Sequence, residues 1–337
     1  MFKVKQLGVA AAVALFAGAA MASNFRAADQ VYIPAAGHVV GAGATFVSDV
    51  FISNLSDDSV DVSIILSQTP NGTQIAFPKK LTLAPRERRE LPDFISNTLG
   101  QSSAFGQVIL NGCKAGADCT PSPTDGLNAN YRNISAESRI YSFPTGQNQA
   151  TAPTNGQLFS GIPWYNFVTS DASGAGLDKI FITGIRNTPA FKTNIGFVNA
   201  SQFSTTTLTA TLFSGTGTQL GQNSFTLQPL GFQQVLIGSA TLFPSFAQAA
   251  TSTNVYIVIS QSGTQPTADA AANGCPNGCP AFFAYGSQLD NQTQDATTLE
   301  PQYFMALTNN AITCIYSPDI AACKAGTTIH RAVKHQF

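Results

Sequence analysis

The sequence of 337 residues contains an internal repeat. Residues 46–54 match residues 191–199 in the pattern F-x-[ST]-[DN]-[VI]-x-[IF]-x-N, at an offset of 145 positions (191 − 46). Gly72 and Gly217, each followed by Thr and Gln, are separated by the same offset. Several matches in one register are typical of a duplicated structural unit. The repeat therefore predicts two copies of one domain.

Hydrophobic periodicity within each copy predicts β-strands. Apolar and polar residues alternate along 60–66 in the first copy and along 207–212 in the second, which is the period of a strand with one buried face. Each copy offers about seven such runs separated by turn residues, the number of strands in a common β-sandwich. The sequence therefore predicts an all-β chain of two tandem β-sandwiches, with short helices only at 93–99 and 240–249.

The matched motif predicts core and turn positions in duplicate. A repeated fold needs its core twice, so we expect Phe46 and Phe191 to be buried between the sheets. We expect Asn54 and Asn199 to end their strands and to bond the turns that follow, because Asn side chains readily bond turn backbone.

The N-terminus has the pattern of a cleaved secretory signal. Two lysines precede an apolar run over 7–19, and Ala-Met-Ala at 20–22 is a small-residue cleavage site. The run is shorter than the roughly 20 residues of a membrane-spanning helix. We therefore expect residues 1–22 to be a signal peptide, Ser23 to be the mature N-terminus, and no transmembrane helix. The expected location is secreted or at the cell surface, with a periplasmic or outer-membrane-associated position as the alternative.

Composition excludes one class of partner. The chain has 17 Lys and Arg against 18 Asp and Glu, and only 10% of its residues are charged. Nucleic-acid binding needs a clustered cationic surface, so we exclude it. Neutral polar residues supply the surface instead, as is common on extracellular β-proteins.

Six cysteines fit an oxidising compartment and predict disulfide bonds. They fall into three local pairs: Cys113 with Cys119, Cys275 with Cys279, and Cys314 with Cys323. Pairing within each local pair is the simplest prediction, although six cysteines allow 15 connectivities. A zinc site built from two of the pairs is the alternative.

The repeat also sets the domain boundaries. We expect the first sandwich at 23–145, a linker rich in Gln, Asn, Thr and Pro at 146–161, and the second sandwich at 162–305. Residues 306–337 follow as a C-terminal tail, whose structure the pattern does not define.

The chain resembles the tandem immunoglobulin-like β-sandwich repeats of secreted bacterial proteins. The resemblance covers most of the mature chain and is carried by four segments: Ile33-Pro34-Ala35-Ala36, the F-x-[ST]-[DN] motif of both copies, Ser138-Arg139-Ile140-Tyr141 and Leu289-Asp290-Asn291-Gln292-Thr293. It implies immunoglobulin-like domains and an exported, non-catalytic role. It supplies no active site.

A Gly-rich stretch offers weak cation ligands. Asp171 and Asp178 flank Ala-Ser-Gly-Ala-Gly-Leu, and extracellular calcium can fill sites made of carboxylate oxygens. The spacing is not that of an EF-hand loop, so an ordinary turn is the competing interpretation. Calcium is the one cofactor that the sequence leaves open.

An aromatic cluster offers ligand contacts. Trp164 and Tyr165 belong to Ile-Pro-Trp-Tyr-Asn-Phe just after the expected linker. Their rings could stack on a sugar, but packing between the two domains is the favoured interpretation, because aromatic rings bury large areas.

The sequence indicates no catalytic constellation. Histidine occurs only at His38, His330 and His335, and neither a G-x-S-x-G nor an H-E-x-x-H motif is present. We therefore predict a structural or interaction protein of the adhesion type that contacts an extracellular protein, a polysaccharide surface or further copies of itself. A carbohydrate-binding module is the alternative, followed by a secreted hydrolase or an outer-membrane β-barrel.

Overall fold

The computed structural model describes residues 27–41, 43–77, 80–120, 128–169, 179–201, 205–246, 254–262 and 281–303. The first half of this part forms ten strands: β1 Gln30–Val40, β2 Ala44–Asn54, β3 Val60–Ser67, β4 Gln74–Ala76, β5 Leu81–Leu83, β6 Arg88–Leu91, β7 Ala104–Lys114, β8 Ile134–Pro144, β9 Asn155–Ser160 and β10 Ile162–Pro163. The second half forms ten more: β11 Val168–Thr169, β12 Lys179–Ile185, β13 Phe191–Asn199, β14 Thr206–Ser214, β15 Gln219–Leu227, β16 Phe232–Leu236, β17 Val255–Ser262, β18 Ala281–Asp290, β19 Ala296–Leu299 and β20 Gln302–Tyr303. The predicted all-β class is confirmed.

The strands pair into two antiparallel sandwiches. In the first, one sheet centres on β2, with β6 and β8 as its neighbours and β9 beyond β8. The opposite sheet contains β4 and β5 on one edge of β3, followed by β7, β1 and β10. The C-terminal end of β1 also pairs with β2, so β1 belongs to both sheets.

The second sandwich repeats this arrangement. One sheet, named here the β13 sheet, contains β13 between β16 and β18, with β11 and β19 on the other edge of β18. The other, named the β14 sheet, has the order β15-β14-β17-β12-β20. β2 and β13 therefore occupy the same central position, which confirms that the matched motif marks a structural repeat.

The two motif asparagines end their strands as predicted. The amide nitrogen of Asn199 donates to the carbonyls of Leu227 at 3.2 Å and Gln228 at 2.9 Å, and its amide oxygen accepts from the backbone N–H of Ser201 at 3.0 Å. Asn54 makes the corresponding bonds in the first copy, donating to Ala84 O at 2.8 Å. Both side chains thus tie the end of the central strand to the turn before the next strand of its sheet.

The two motif phenylalanines differ from their prediction. Phe46 and Phe191 are half-buried, and the guanidinium of Arg186 lies 4.9 Å from the ring centre of Phe191. Both residues lie near the start of the matched segment, where a sandwich opens. Ile52 and Phe197, six positions further along, are fully buried and occupy the place in the core that we expected for the phenylalanines.

Strands also occur within the segment that the sequence assigned to a linker. Residues 155–160 of the expected linker 146–161 form β9, which pairs with β8. β10 then returns to pair with β1. β19 and β20 repeat this ending in the second copy by pairing with β18 and β12. Each sandwich therefore closes with a strand that reaches back to its own beginning.

Within the described residues, helical structure is limited to single turns. Phe94–Thr98 is one turn of π-helix, within the predicted 93–99. Residues 240–246 of the second predicted helix form turns and bends instead, and its last three residues lie outside the described part. The segment carries Pro244, which has no backbone N–H to donate.

One predicted disulfide joins β7 to the loop that follows it. Cys113 and Cys119 are bonded, with their Cα atoms 6.0 Å apart. The local pairing is confirmed for this loop. The other four cysteines, Cys275, Cys279, Cys314 and Cys323, lie outside the described residues, as does the tail 306–337.

The sandwiches share one hydrophobic core. A single apolar cluster includes Phe94 and Ile95 from the first sandwich and Phe197 and Ile259 from the second, all fully buried. Burial of apolar area is the main stabilising term in folding, so each half contributes to the stability of the other.

Candidate functional site

Backbone hydrogen bonds fix the junction between the sandwiches. The turn before β16 lies against the end of β3, where Gln228 N donates to Pro70 O at 2.8 Å and Phe232 N donates to Thr69 O at 2.9 Å. Leu230 O accepts from two further buried side chains of the first sandwich, Ser67 Oγ at 2.6 Å and Gln107 Nε2 at 2.8 Å. These bonds hold the two sandwiches in one relative orientation.

A cleft of about 460 Å³ lies between the two sandwiches beside this junction. It is named here the inter-sandwich cleft, and it forms where the open end of the first sandwich meets the outer face of the β13 sheet. Its walls are largely apolar, and the apolar residues are Val39, Phe46, Phe105, Ile140, Leu289 and Ala296. Amide side chains also line it: Asn155, Gln157, Asn194, Gln234 and Gln294.

Most of these amides bond the walls of the cleft. Gln157 reaches from β9 to the second sandwich, where its Nε2 donates to Ser287 Oγ at 2.8 Å and its Oε1 accepts from Thr298 Oγ1 at 3.3 Å. Gln234 Oε1 accepts from the hydroxyl of Tyr285 at 2.8 Å, and burial raises the pKa of that hydroxyl. Gln157 therefore ties the first sandwich to the second, whereas Gln234 bonds within the second sandwich.

Lys192 and Asn194 are the exceptions in this lining. Both belong to β13, two positions apart, and so point to the same face of the sheet. Within the described residues, neither side chain has a hydrogen-bond or ion-pair partner, and Lys192 is the one charged residue of the lining. The cleft thus combines largely apolar walls with one cation and, beside it, one amide that bonds no described residue.

The outer face of the β14 sheet carries a row of paired hydroxyl and amide side chains. Thr207 and Thr226 are joined across β14 and β15 at 3.1 Å, and Thr209 and Ser224 at 2.8 Å. Gln222 Nε2 continues the row by donating to Thr211 Oγ1 at 3.1 Å. This stretch of the face is polar without being charged.

Two aromatic rings adjoin the hydroxyl row. Phe213 and Tyr256 are paired across β14 and β17, and their rings stack at 5.2 Å between centroids with 14° between planes. Both side chains are half-buried. The outer face of the β14 sheet therefore presents a stacked, half-buried aromatic pair beside neutral polar groups.

β15 is an edge strand of the β14 sheet. It pairs with β14 on one side, and no other described strand pairs with it. Its nine residues include no charge and no proline. In the first copy the same position holds β4 and β5, which have three residues each and are separated by Phe77, Pro78, Lys79 and Lys80.

A buried polar cluster lies beside the π-helical turn of the first sandwich. His38 Nδ1 and Asp93 Oδ1 are 2.8 Å apart, and the backbone N–H of Asp93 donates to Asp49 Oδ1 at 3.0 Å. Tyr141 OH also donates to Asp49 at 3.3 Å, and burial followed by the Asp49 carboxylate raises the pKa of Tyr141. Among the described residues, no hydroxyl or thiol bonds His38. The cluster anchors Asp93, whose φ of 41° is left-handed.

The residues singled out from the sequence have different outcomes. The side chain of Trp164 is buried, and its Nε1 donates to Asp29 Oδ1 at 2.8 Å, so its ring is not presented to a ligand. Tyr165 belongs to a 3₁₀ turn, but its side chain is not described, and Asp171 and Asp178 lie outside the described residues. Lys192 was not predicted from the sequence. The signal that could have found it is the repeat, because the matching residue of the first copy, Val47, is apolar.

Neither a metal-binding cluster nor a membrane-spanning helix occurs among the described residues. No group of three or more His, Cys, Asp or Glu side chains in them is arranged to hold a metal ion. None of the helical segments in the described ranges has the length and apolar character needed to cross a membrane.

Comparisons with known proteins give no family. No protein-family model and no curated protein matches the sequence. Among solved structures, the chain is similar to Bacteroides uniformis beta-glucuronidase, with 10% identity, a TM-score of 0.14, and coverage of 77% of this chain and 26% of that one. It is also similar to the BSP domain of a biofilm associated protein, with 8% identity, a TM-score of 0.20, and coverage of 81% and 58%. This chain thus spans about a quarter of the glucuronidase, and at these TM-scores neither likeness carries an inference about function.

Proposed function

We propose that this protein is an exported, non-catalytic interaction protein that works at or outside the cell surface without a cofactor. The pattern of a cleaved signal at 1–22 and the Cys113–Cys119 disulfide support export, because disulfides persist in oxidising compartments. The expected partners are an extracellular protein, a polysaccharide surface or a second copy of the chain. The observation that carries the proposal is the free edge of β15.

Sheet edges are normally protected against pairing with other chains by short strands, charged residues and prolines. The first copy has all three: β4 and β5 are short, and the sequence between them contains one proline and two lysines. β6, another edge strand of the first sandwich, carries Arg88, Arg89 and Glu90. β15 has none of these protective features over its nine residues. The N–H of Ser224 is bonded to Asn223 Oδ1, and the other unpaired backbone groups of the edge are available for the addition of a partner strand.

Charge on the β15 edge should reduce binding. The side chain of Ser224 is exposed on the outer face of β15, and Ser224→Lys places an ammonium beside any added strand. We expect the amount of purified protein retained on the surface of producing cells to fall by about tenfold, equivalent to about 1.4 kcal/mol. Quantitative immunoblotting of cell-bound and free fractions measures it.

Thr209→Lys is the matched control for this test. Thr209 is the cross-strand partner of Ser224 but belongs to the central strand β14, so its substitution charges the same face without touching the edge. Equal loss in both variants would show that the face binds and the edge does not. Unchanged retention of Ser224→Lys would contradict the proposal.

Carbohydrate binding is the second candidate function. The stacked Phe213 and Tyr256 rings carry it, since the part of an aromatic ring that stays accessible can pack against the apolar face of a sugar. We expect soluble polysaccharide in a native gel to retard the wild-type protein, and we expect Tyr256→Ala to abolish the retardation while Thr207→Ala, further along the same face, preserves it. Wild-type migration unaffected by a panel of neutral and acidic polysaccharides would exclude this candidate.

A further inference from the structure

We infer that the inter-sandwich cleft binds a small amphipathic anion, a molecule with an apolar body and a single carboxylate. The cleft belongs to neither surface of the proposed function, since it faces the β13 sheet, whereas the edge and aromatic face belong to the β14 sheet. It is therefore a second binding site with its own ligand class.

The size and the apolar walls of the cleft indicate the size and the apolar character of the ligand. Its volume of about 460 Å³ is within the roughly 300–1,000 Å³ of small-molecule sites. Phe46, Phe105 and Ile140 approach it from the first sandwich, and Leu289 from the second. Phe46 is half-buried there, although its position in the repeat predicted a core residue. An apolar group in the cleft would cover the exposed part of this ring.

The polar groups of the cleft indicate which charged group the ligand carries. Gln157 and Gln234 already bond partners in the walls. Among the described lining residues, this leaves Lys192 and Asn194 on β13, with the Ser142 hydroxyl on the first sandwich, without a side-chain polar partner. Their side chains start about 7 Å apart on one face of β13, so an ammonium and an amide N–H can converge on one group. The lining contains no carboxylate, and a monovalent anion matches its single positive charge.

The repeat shows that these two residues are not part of the scaffold. At the same offset of 145, the first copy has Val47 in place of Lys192 and Asp49 in place of Asn194. Val47 packs in a small apolar cluster with Tyr141 and Phe143, and Asp49 accepts hydrogen bonds from neighbouring groups. The second copy thus differs from the first in charge and in bonding at the two positions that face the cleft.

Calorimetric titration of the mature protein with three ten-carbon probes tests the inference. Decanoate, below its micellar concentration, should bind with one site per chain and about tenfold or more tightly than decanol, while decyltrimethylammonium should not bind. Lys192→Met keeps the apolar stem and removes the charge, and should reduce decanoate binding to the level of decanol. Lys179→Met, a lysine on the β14 sheet of the same sandwich, should leave it unchanged.

A second variant tests the place of binding. Ala296 on β19 lines the cleft, whereas its neighbour Thr297 is exposed. Ala296→Trp should fill the cleft and abolish decanoate binding, and Thr297→Trp should preserve it, with unfolding temperatures checking that both variants fold. Equal affinity for decanoate and decanol, undiminished binding by Lys192→Met or Ala296→Trp, or no binding of decanoate would each overturn the inference.

Discussion

The substitution Gly72→Ala is expected to destabilise the protein by about 3–5 kcal/mol. Gly72 has a φ of 71°, and a Cβ atom at this position would lie 2.1 Å from Pro229 O in the second sandwich. The left-handed backbone alone costs an L-residue about 1–2 kcal/mol. Relief of the overlap must also move the junction, where each lost hydrogen bond adds about 1 kcal/mol.

The repeat supplies the control for this prediction. Gly217 matches Gly72 at the offset of 145 and has a φ of 85°, but a Cβ atom there would meet nothing within 4 Å. Gly217→Ala should therefore cost only the backbone term of about 1–2 kcal/mol. Urea denaturation of both variants measures the difference in their free energies of unfolding. Equal destabilisation would mean that the junction accommodates a methyl group at residue 72 without losing stability.

The substitution Asn199→Ala is expected to lower the free energy of unfolding by about 3–5 kcal/mol. The Asn199 side chain is fully buried, and its removal leaves three backbone groups, Leu227 O, Gln228 O and Ser201 N, without their bonds. Each unsatisfied buried group costs about 1–3 kcal/mol. The free energy of unfolding, from urea titrations followed by tyrosine fluorescence and circular dichroism, measures the loss.

The matched position tests whether burial causes this cost. Asn54 is itself buried and bonds Asp58 O, Ala84 O and the N–H of Ser56 in the first copy. These bonds are only partly buried, because their partners are accessible, and water can replace them. We expect Asn54→Ala to cost about 1–2 kcal/mol, less than Asn199→Ala. A larger loss at Asn54 would show that turn geometry rather than burial sets the cost.

Periodicity and the repeat predicted the fold class and the turn asparagines because both depend on local pattern. β9 and β19 escaped prediction, since their sequences, Asn-Gly-Gln-Leu-Phe-Ser and Ala-Thr-Thr-Leu, are polar enough to be read as loops. Gln157 and Thr298 are polar because they bond each other across the junction. Their polarity can be explained only when the packing of the two copies against each other is known.

The inter-sandwich cleft could not be predicted from any one segment. Its lining comes from nine strands of both sandwiches, so no local spacing brings it together. The one signal in the sequence is divergence within the repeat, where Lys192 and Asn194 replace Val47 and Asp49. Positions where two copies of a fold differ in charge, rather than positions where they agree, are the ones that point to the site.

The pairing of β10 with β1 has a consequence for how the chain is made. In a chain that emerges N-terminus first, Val31 appears long before Pro163, its partner in this pairing. The hydroxyl of Tyr32 likewise cannot donate to the carbonyl of Ala200, at 3.2 Å in the folded protein, until Ala200 has emerged. Contacts so distant in sequence make folding slow. A nascent chain therefore stays incompletely folded until the first part of the second copy has followed, and an incompletely folded polypeptide is the form that can pass through a narrow export channel.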